Sequence, residues 1–253
     1  MKLYLILPDI HDKHPSYCSL KQKAYHPAVK CVEDIMKKYQ PHGVMYLGDT
    51  TDMESLSSFD RDKRQIMEGK RYIKDINSVN HLLDRHQSIS NKTKEWIYII
   101  GNHETRVKTY VEYHPEVEGQ FDYVKNTRLI ERGFEVIQAN CTKKLGKALF
   151  MHGFDDSKNH AANMSRTYPK TIYYGHVHDV QMHSFVSPID MKEVRVAASL
   201  GCLCDLNPGW MRNRPNKWVH SFGMFWLSDN GSFQMDIKFI INGKTIVNGE
   251  TFG

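Results

Sequence analysis

The chain has 253 residues, with 34 Lys and Arg against 29 Asp and Glu, which gives a formal net charge of +5. Hydrophobic residues make up 40% and charged residues 25%, a composition typical of globular proteins and not of disordered ones. The longest apolar runs, at 3–7 and 96–100, have five residues, whereas a membrane-spanning helix needs about twenty. The composition therefore excludes a transmembrane protein and permits a polyanionic partner without requiring one.

Short runs rich in β-branched and aromatic residues predict buried strands along the whole chain. The spacing of apolar residues predicts a helix over Pro27–Tyr39 and a longer, mostly polar helix over 62–90. Asn230-Gly231 predicts a hairpin turn between the last two strands. The predicted strands are 3–7, 44–47, 96–100, 135–138, 148–151, 171–174, 194–198, 223–227 and 233–240. Strands that alternate with helices and then continue as strands favour a layered α/β fold.

Five predicted strands run directly into polar residues that can bind metals. In α/β sheets ligands bind at the carboxyl ends of the strands, so these side chains are expected to meet in one crevice. The glycines among them allow sharp turns and close approach of the backbone to a ligand. The five segments are Asp9-Ile10-His11, Gly48-Asp49-Thr50-Thr51-Asp52, Gly101-Asn102-His103-Glu104, His152-Gly153 and Gly175-His176-Val177-His178.

Carboxylate, imidazole and amide oxygen together suit a divalent metal such as Mn²⁺, Fe or Zn²⁺. Seven ligands are too many for one tetrahedral ion and fit two ions that share a ligand. Two ions about 3.5–4 Å apart form the clamp that is used for in-line displacement at phosphorus. We therefore expect two divalent metal ions, with Mn²⁺ favoured, and a phosphate-ester substrate.

The five segments, in this order, resemble the motifs of the calcineurin-like metallophosphoesterases, and each motif is complete between residues 9 and 178. The resemblance implies an α/β fold built as a four-layer α/β/β/α sandwich of two mixed sheets. It also implies that Asp49 bridges the two metals, that His103 is the catalytic imidazole and that Asp52 orients it. The implied ligands are Asp9, His11 and His178 for the first metal, and Asn102, His152 and His176 for the second.

These implied roles agree with simple chemistry. A hydroxide held between the two metals would attack phosphorus in line, and the leaving oxygen would need a proton. A histidine with a pKa near 6.5 can supply that proton, and a carboxylate on its far ring nitrogen fixes the tautomer.

The substrate is open between a phosphodiester of nucleic acid or nucleotides, which we favour, and a phosphomonoester of a protein or small molecule. Serine/threonine phosphatases of this family have Arg before the Gly of Gly-Asn-His-Glu and Arg-Gly after the second motif. Here Ile100 and Met53-Glu54 stand there, and Arg106 is a candidate replacement. A softer resemblance, through 56–60, 101–106 and 199–203, points to the phage and bacterial branch related to DNA-repair exonucleases. A non-catalytic metal-binding partner protein is the least favoured reading, because no ligand is missing.

Two basic segments could bind a polyanion. The first, at 61–74, has six Lys or Arg. The second, the Trp/Arg loop at 208–220, interleaves Trp210 and Trp218 with Arg212, Arg214 and Lys217. Aromatic and cationic side chains in a loop are typical of single-stranded nucleic acid binding, so Trp210 and Arg212 are predicted substrate contacts. A structural loop and a solvated helix face are the alternatives.

The remaining expectations concern the cysteines, the compartment and the domain count. Five scattered cysteines indicate reduced thiols, and Asp9 interrupts any N-terminal signal sequence, so a cytoplasmic protein is expected. Cys202 and Cys204 are too close for an ordinary disulfide. They also lack a second cysteine pair that would complete a zinc site, so they are predicted to be packing residues. No repeat or linker divides the chain, and residues 1–253 are predicted to form a single domain. The oligomeric state is left open.

Overall fold

A computed structural model describes residues 1–18, 26–189 and 194–253 and has an α/β architecture with two mixed β-sheets. The strands are β1 (Lys2–Leu7), β2 (Gly43–Tyr46), β3 (Glu95–Ile99), β4 (Phe134–Ile137), β5 (Lys143–Leu145), β6 (Ala148–Met151), β7 (Ile172–Tyr174), β8 (Met182–Val186), β9 (Val194–Ser199), β10 (Ser221–Leu227), β11 (Phe233–Phe239), β12 (Thr245–Val247) and β13 (Glu250–Phe252). The α-helices are α1 (Pro27–Tyr39), α2 (Arg64–Met67), α3 (Tyr72–Ile89), α4 (Asn102–Tyr113), α5 (Tyr123–Asn126) and α6 (His160–Thr167).

The first sheet has the strand order β11-β10-β1-β2-β3-β4. Strands β1 to β4 are parallel, with Leu5 opposite Val44 and Val44 opposite Trp96. Strand β10 pairs antiparallel with both of its neighbours, β1 and β11. Parallel neighbours need a crossover connection, which α1 supplies between β1 and β2 and α3 supplies between β2 and β3. The carboxyl ends of β1, β2 and β3 therefore lie side by side.

The second sheet has the order β5-β6-β7-β9-β8, with β6, β7 and β9 parallel. Strands β5 and β8 pair antiparallel at its two edges. A separate hairpin of β12 and β13 follows. The carboxyl ends of β6 and β7 are thus also neighbours, and they carry the residues that follow 151 and 174.

The buried side chains form three hydrophobic clusters, and β1 contributes alternate residues to two of them, as the period of a strand dictates. Leu5 belongs to the cluster that includes Ile35 of α1 and Leu83 of α3. Ile6 points the other way, into a cluster with Phe150 of the second sheet. The third cluster, around Met151, Met164, Ile172, Tyr174 and Ala197, joins α6 to the second sheet. Both faces of β1 are covered, which explains its nearly continuous apolar sequence.

All nine predicted strands are present, with shifts of one or two residues at their ends, and α1 has the predicted bounds. The prediction of a single helix over 62–90 is wrong. The structure has α2 and α3 there, separated at 68–71, where Gly69 has a left-handed φ of 75°. Sequence periodicity did not predict β5, β8, β12, β13 or helices α4 to α6. Within the described ranges, no helix has both the length and the apolarity to cross a membrane.

Candidate metal centre

The motif residues lie at the carboxyl ends of five strands and come together in one site. Asp9 and His11 follow β1, Asp49 and Asp52 follow β2, and Asn102 and His103 form the first turn of α4 after β3. His152 follows β6, and His176 and His178 follow β7. The loops are tied to one another, since the His11 N–H donates to the Asp49 carbonyl at 2.9 Å. Both sheets therefore contribute side chains to the same crevice.

One group of possible ligands consists of Asp9, His11 and His178, whose ligand atoms all lie within 4.8 Å of one another. The Nε2 atoms of His11 and His178 are 3.1 Å apart, and His178 Nε2 is 3.3 Å from Asp9 Oδ1. Two imidazole nitrogens and a carboxylate that face a common point form a donor set suited to a divalent cation.

A second group consists of Asp49, His152 and His176, again with ligand atoms within 4.8 Å. The Asn102 amide oxygen lies 2.9 Å from His152 Nε2 and 2.9 Å from His176 Nδ1, so it joins this group. Asp49 and His152 are buried, His176 is half-buried and Asn102 is exposed, and imidazole, carboxylate and amide ligands of this kind can hold metal ions.

Asp49 lies between the two groups. Its Oδ2 is 3.3 Å from His152 Nε2 in the second group and 3.8 Å from His11 Nε2 in the first. Its Oδ1 accepts the N–H of His103 at 2.8 Å, at the N-terminus of α4, where a negative charge is favoured. Burial raises the pKa of Asp49, but the imidazoles of His152, His103 and His11 outweigh burial and hold it well below its ordinary value.

The backbone is strained at five of the seven predicted ligands. Asp9, His11, Asp49, His176 and His178 have φ angles of 41°, 47°, 46°, 72° and 61°, in the left-handed region that residues other than glycine rarely adopt. Each such residue costs about 1–3 kcal/mol, and strain of this kind clusters at functional sites. Because five left-handed residues occur together in these loops, we infer that the backbone conformation here is set by where the side chains must lie and not by the fold alone.

Two glycines in the motifs are required by close approach. A Cβ on Gly175 would lie 2.2 Å from Asp9 Oδ2, and a Cβ on Gly101 would lie 2.2 Å from Asp49 Oδ1. Any side chain at these positions would displace a carboxylate of the site.

His103 lies beside both groups. Its Nδ1 is 2.9 Å from Asp52 Oδ1, the contact that the predicted role of Asp52 requires, and 2.9 Å from the Asp52 carbonyl oxygen. Its Nε2 lies 3.8 Å from Asp49 Oδ2. Burial lowers the pKa of His103, but the carboxylates of Asp49 and Asp52 outweigh burial and raise it above the ordinary value.

Arg106 lies on the next turn of α4 and contacts His103 directly. Its Nη1 donates to the Asp52 carbonyl at 2.8 Å, and its Nη2 is 3.1 Å from His103 Nε2. The side chain is half-buried and is not part of a freely solvated helix face. Its predicted contact with a phosphate stays a prediction.

The Trp/Arg loop covers one side of the site. An inner cavity of about 160 Å³ is lined by His11, Asp49, His103, His178, Trp210 and Trp218. The Trp218 ring packs edge-on against His178 with 4.1 Å between centroids, and Trp210 packs against Trp218. Arg212 lies farther out, on an outer cavity of about 750 Å³ that shares His11 and Trp210 with the inner one. The loop includes one turn of 3₁₀ helix at Gly209–Met211.

Sequence reasoning assigned no role to Glu104, which is buried at the centre of these loops. Its carboxylate accepts the N–H groups of Asp49, Thr50 and Gly101 at 3.0, 2.8 and 2.8 Å, and the hydroxyl of Tyr98 at 3.0 Å. The available signal was an acidic residue three positions after Gly101 at a helix start, which is the pattern of a capping box.

Lys13 was also missed. Its ammonium group donates to Glu54 Oε1 at 2.7 Å and lies 2.7 Å from Asp52 Oδ2. Burial raises the pKa of Asp52, but Lys13 and the imidazoles of His103 and His11 outweigh burial and hold that pKa well below its ordinary value. Asp52 is therefore held at Oδ2 by Lys13, and at Oδ1 by His103 at 2.9 Å and His11 at 3.3 Å. No sequence signal pointed to Lys13, because its partners are close only in space.

Comparison with known proteins gives little for this chain. No protein-family model matches it, and no curated protein matches it. One matching solved structure aligns over 93% of this chain and 98% of its own, with 9% sequence identity and a TM-score of 0.40. A likeness at this level carries no argument about fold or function, so the functional conclusion depends on the geometry of the site.

Proposed function

We propose that this chain is a dinuclear-metal phosphoesterase that hydrolyses phosphodiester bonds, in nucleic acid or in nucleotides. The observation that carries the proposal is the meeting of two His/Asp groups at Asp49, with His103 beside both. We also propose that the two sheets and their covering helices form the four-layer α/β/β/α sandwich of the metallophosphoesterases. The shared cluster between the sheets and the helical clusters outside them support this arrangement.

The donor set supports two divalent cations, with Mn²⁺ favoured and Fe or Zn²⁺ as alternatives. Asp9, His11 and His178 would hold the first, and Asn102, His152 and His176 the second, with Asp49 shared between them. When bound, such a pair lowers the pKa of a shared water and neutralises charge on the phosphate.

The protein's own side chains would orient the substrate and move the proton. Nδ1 of His103 donates to Asp52, whose carbonyl oxygen and Oδ1 both lie 2.9 Å away. The exchangeable proton position is therefore Nε2, which lies 3.8 Å from Asp49 Oδ2. A proton given from Nε2 to the leaving oxygen completes the cleavage. In this structure Nε2 accepts from the Arg106 guanidinium at 3.1 Å. Arg106 would turn from Nε2 to a phosphate oxygen when substrate binds, and Nε2 would then carry the proton that it gives to the leaving oxygen.

The Trp/Arg loop supports a polymeric substrate over a small one, because Trp210 and Arg212 line the outer cavity. Lys63 and Lys70, from the segment 61–74, line it as well, but each is ion-paired at 2.6 Å, with Asp60 and Glu54. The cavity leads inward past His11 to the candidate metal centre. Trp210 is 60% exposed and free to stack on a base. These features fit a single strand whose scissile phosphate sits at the metals.

The test is turnover of labelled single-stranded and double-stranded DNA with Mn²⁺, in parallel with bis-p-nitrophenyl phosphate and p-nitrophenyl phosphate. We expect cleavage of DNA and of the diester that EDTA abolishes and that His103→Ala reduces at least about 100-fold, the usual size of a general-acid contribution. Asp49→Asn should lose both activity and metal. Turnover of the monoester alone would indicate the phosphomonoesterase alternative, and full activity in His103→Ala would refute the assigned site.

A further inference from the structure

Cys202 and Cys204 lie against the candidate metal centre, although neither belongs to its seven predicted ligands. The loop that carries them follows β9 and is tied to the first ligand group, because the N–H of Leu203 donates to the Asp9 carbonyl at 3.1 Å. Both side chains are buried, at 0% and 5% exposure, and Cys204 lines the inner cavity. The sulfurs are thus held in place and one of them borders the cavity.

Their nearest ring is that of His178. Its Nε2 faces Asp9 and His11, while its Nδ1 lies on the opposite side of the ring, 3.7 Å from Cys204 Sγ. The two sulfurs and a ring nitrogen of His178 all lie within 4.8 Å of one another. The third ligand that the cysteine pair lacks in the sequence is therefore supplied by the fold.

The distance between Cys204 Sγ and His178 Nδ1 matches tetrahedral coordination of one metal ion. With a metal–sulfur distance of about 2.3 Å and a metal–nitrogen distance of about 2.0–2.1 Å, tetrahedral geometry separates sulfur and nitrogen by about 3.6 Å. The observed separation of Cys204 Sγ and His178 Nδ1 is 3.7 Å. A cation could thus be held with little movement of this pair of ligands.

We propose that Cys202, Cys204 and Nδ1 of His178 form a third metal site, selective for a thiophilic divalent cation, Zn²⁺. Two thiolates and one imidazole are the ligands that zinc takes in proteins, and water from the inner cavity completes the tetrahedron. Binding releases the two thiol protons to solvent. His178 then keeps its proton on Nε2 and donates it to Asp9 Oδ1, 3.3 Å away.

This site is linked to the first position of the metal pair, because one imidazole serves both. A cation at Nε2 requires the Nε2 proton to leave. When Nδ1 is free the proton can move there, but when Nδ1 holds zinc the ring must become an anionic imidazolate, which costs more free energy. A zinc ion at the cysteine site therefore weakens the binding of a metal ion at the Asp9–His11 position. The site itself does not depend on the proposed hydrolysis.

The test is a titration of the reduced, metal-free chain with up to three equivalents of Co²⁺. Binding to the cysteines is monitored through the near-ultraviolet thiolate-to-cobalt charge-transfer band. The band should form in the unmodified chain and be lost in Cys202→Ser and in Cys204→Ser. It should persist in Cys31→Ser, a matched buried cysteine elsewhere in the core. It should also persist in Asp9→Asn, in which the metal pair and any hydrolysis are impaired, so the two proposals fail separately.

X-ray absorption spectroscopy at the zinc edge, on the unmodified chain with three equivalents of Zn²⁺, does not depend on how the variants fold. We expect a sulfur shell at about 2.3 Å in addition to nitrogen and oxygen neighbours. A spectrum with nitrogen and oxygen shells alone, or a bound Co²⁺ without the charge-transfer band, would overturn the proposal and leave Cys204 as a hydrogen-bond partner of His178.

Discussion

Replacing Glu104 by Gln should loosen the loop that carries Asp49. The Glu104 carboxylate accepts five donors, the N–H groups of Asp49, Thr50, Thr51 and Gly101 and the hydroxyl of Tyr98. A glutamine amide has a single acceptor oxygen, and its NH₂ group would face N–H donors whichever way it is turned. The substitution keeps the volume of the side chain and changes only its hydrogen bonding.

The cost can be estimated from those contacts. In one orientation the NH₂ group faces the N–H groups of Thr50 and Thr51 and the Tyr98 hydroxyl, of which only the hydroxyl can turn to accept. The Thr50 N–H then loses a 2.8 Å bond, the Thr51 N–H loses a weak one at 3.5 Å, and the remaining bonds lose their charge. Together these effects lower the free energy of unfolding by about 3–5 kcal/mol. Because domains are stable by about 5–15 kcal/mol, the variant should still fold.

Two assays measure the effect. Urea unfolding followed by circular dichroism gives the change in stability, and calorimetric titration with Mn²⁺ gives metal affinity, which should fall about 10–100-fold as for other residues that orient ligands. Tyr98→Phe is the matched control. It removes one donor to Glu104 and leaves the four backbone bonds, so Mn²⁺ affinity should stay within about twofold. An unfolding free energy within about 1 kcal/mol of the unmodified chain, together with unchanged Mn²⁺ affinity, would refute the role of Glu104.

Three further predictions concern other parts of the molecule. Gly175→Ala places a Cβ 2.2 Å from Asp9 Oδ2, so it should lower the free energy of unfolding by about 1–3 kcal/mol and lower Mn²⁺ affinity, measured by calorimetry, at least tenfold. Gly209→Ala meets no atom within 4 Å and should change neither quantity. Burial raises the pKa of Asp75 to about 6, so its contribution to stability is present below pH 4 and is lost as the pH rises through 6. The unfolding free energy of the unmodified chain minus that of Asp75→Asn should therefore fall by up to about 3 kcal/mol between pH 4 and pH 7, and a flat difference would contradict this. Trp210→Ala should raise KM for single-stranded DNA about 10-fold and leave KM for bis-p-nitrophenyl phosphate unchanged, and equal effects on both substrates would remove Trp210 from strand binding.

The sequence predicted strands whose residues are almost all buried, and it did not predict strands and helices that are only partly buried. Apart from Lys2 and Glu95 at their first positions, the strands β1, β2 and β3 have no charged residue, because both of their faces are covered. Each was therefore recognised to within a residue or two. Strand β8 is an edge strand whose residues are alternately half-buried and exposed. Helix α4 buries only Glu104 and Val107, so it shows no apolar period.

Some residues of the site could be predicted from the sequence and others could not. The seven predicted ligands and His103 were recognisable because each follows a strand and belongs to a motif. The residues that hold them were not recognisable, since Lys13 reaches Asp52 and Cys204 reaches His178 only through the fold. Lys13 and Asp52 are 39 positions apart, and no local periodicity links them. Contacts between distant loops therefore limit what motif spacing can predict.

Electron paramagnetic resonance of the chain loaded with Mn²⁺ tests the dinuclear centre most directly. If Asp49 joins the two groups, the chain binds two Mn²⁺ ions about 3.5–4 Å apart, and their spins couple to give a multiline spectrum distinct from that of isolated ions. Asp49→Asn should convert it to the six-line spectrum of uncoupled Mn²⁺. One bound ion per chain, or two ions without spin coupling in the unmodified protein, would contradict a shared metal centre at Asp49.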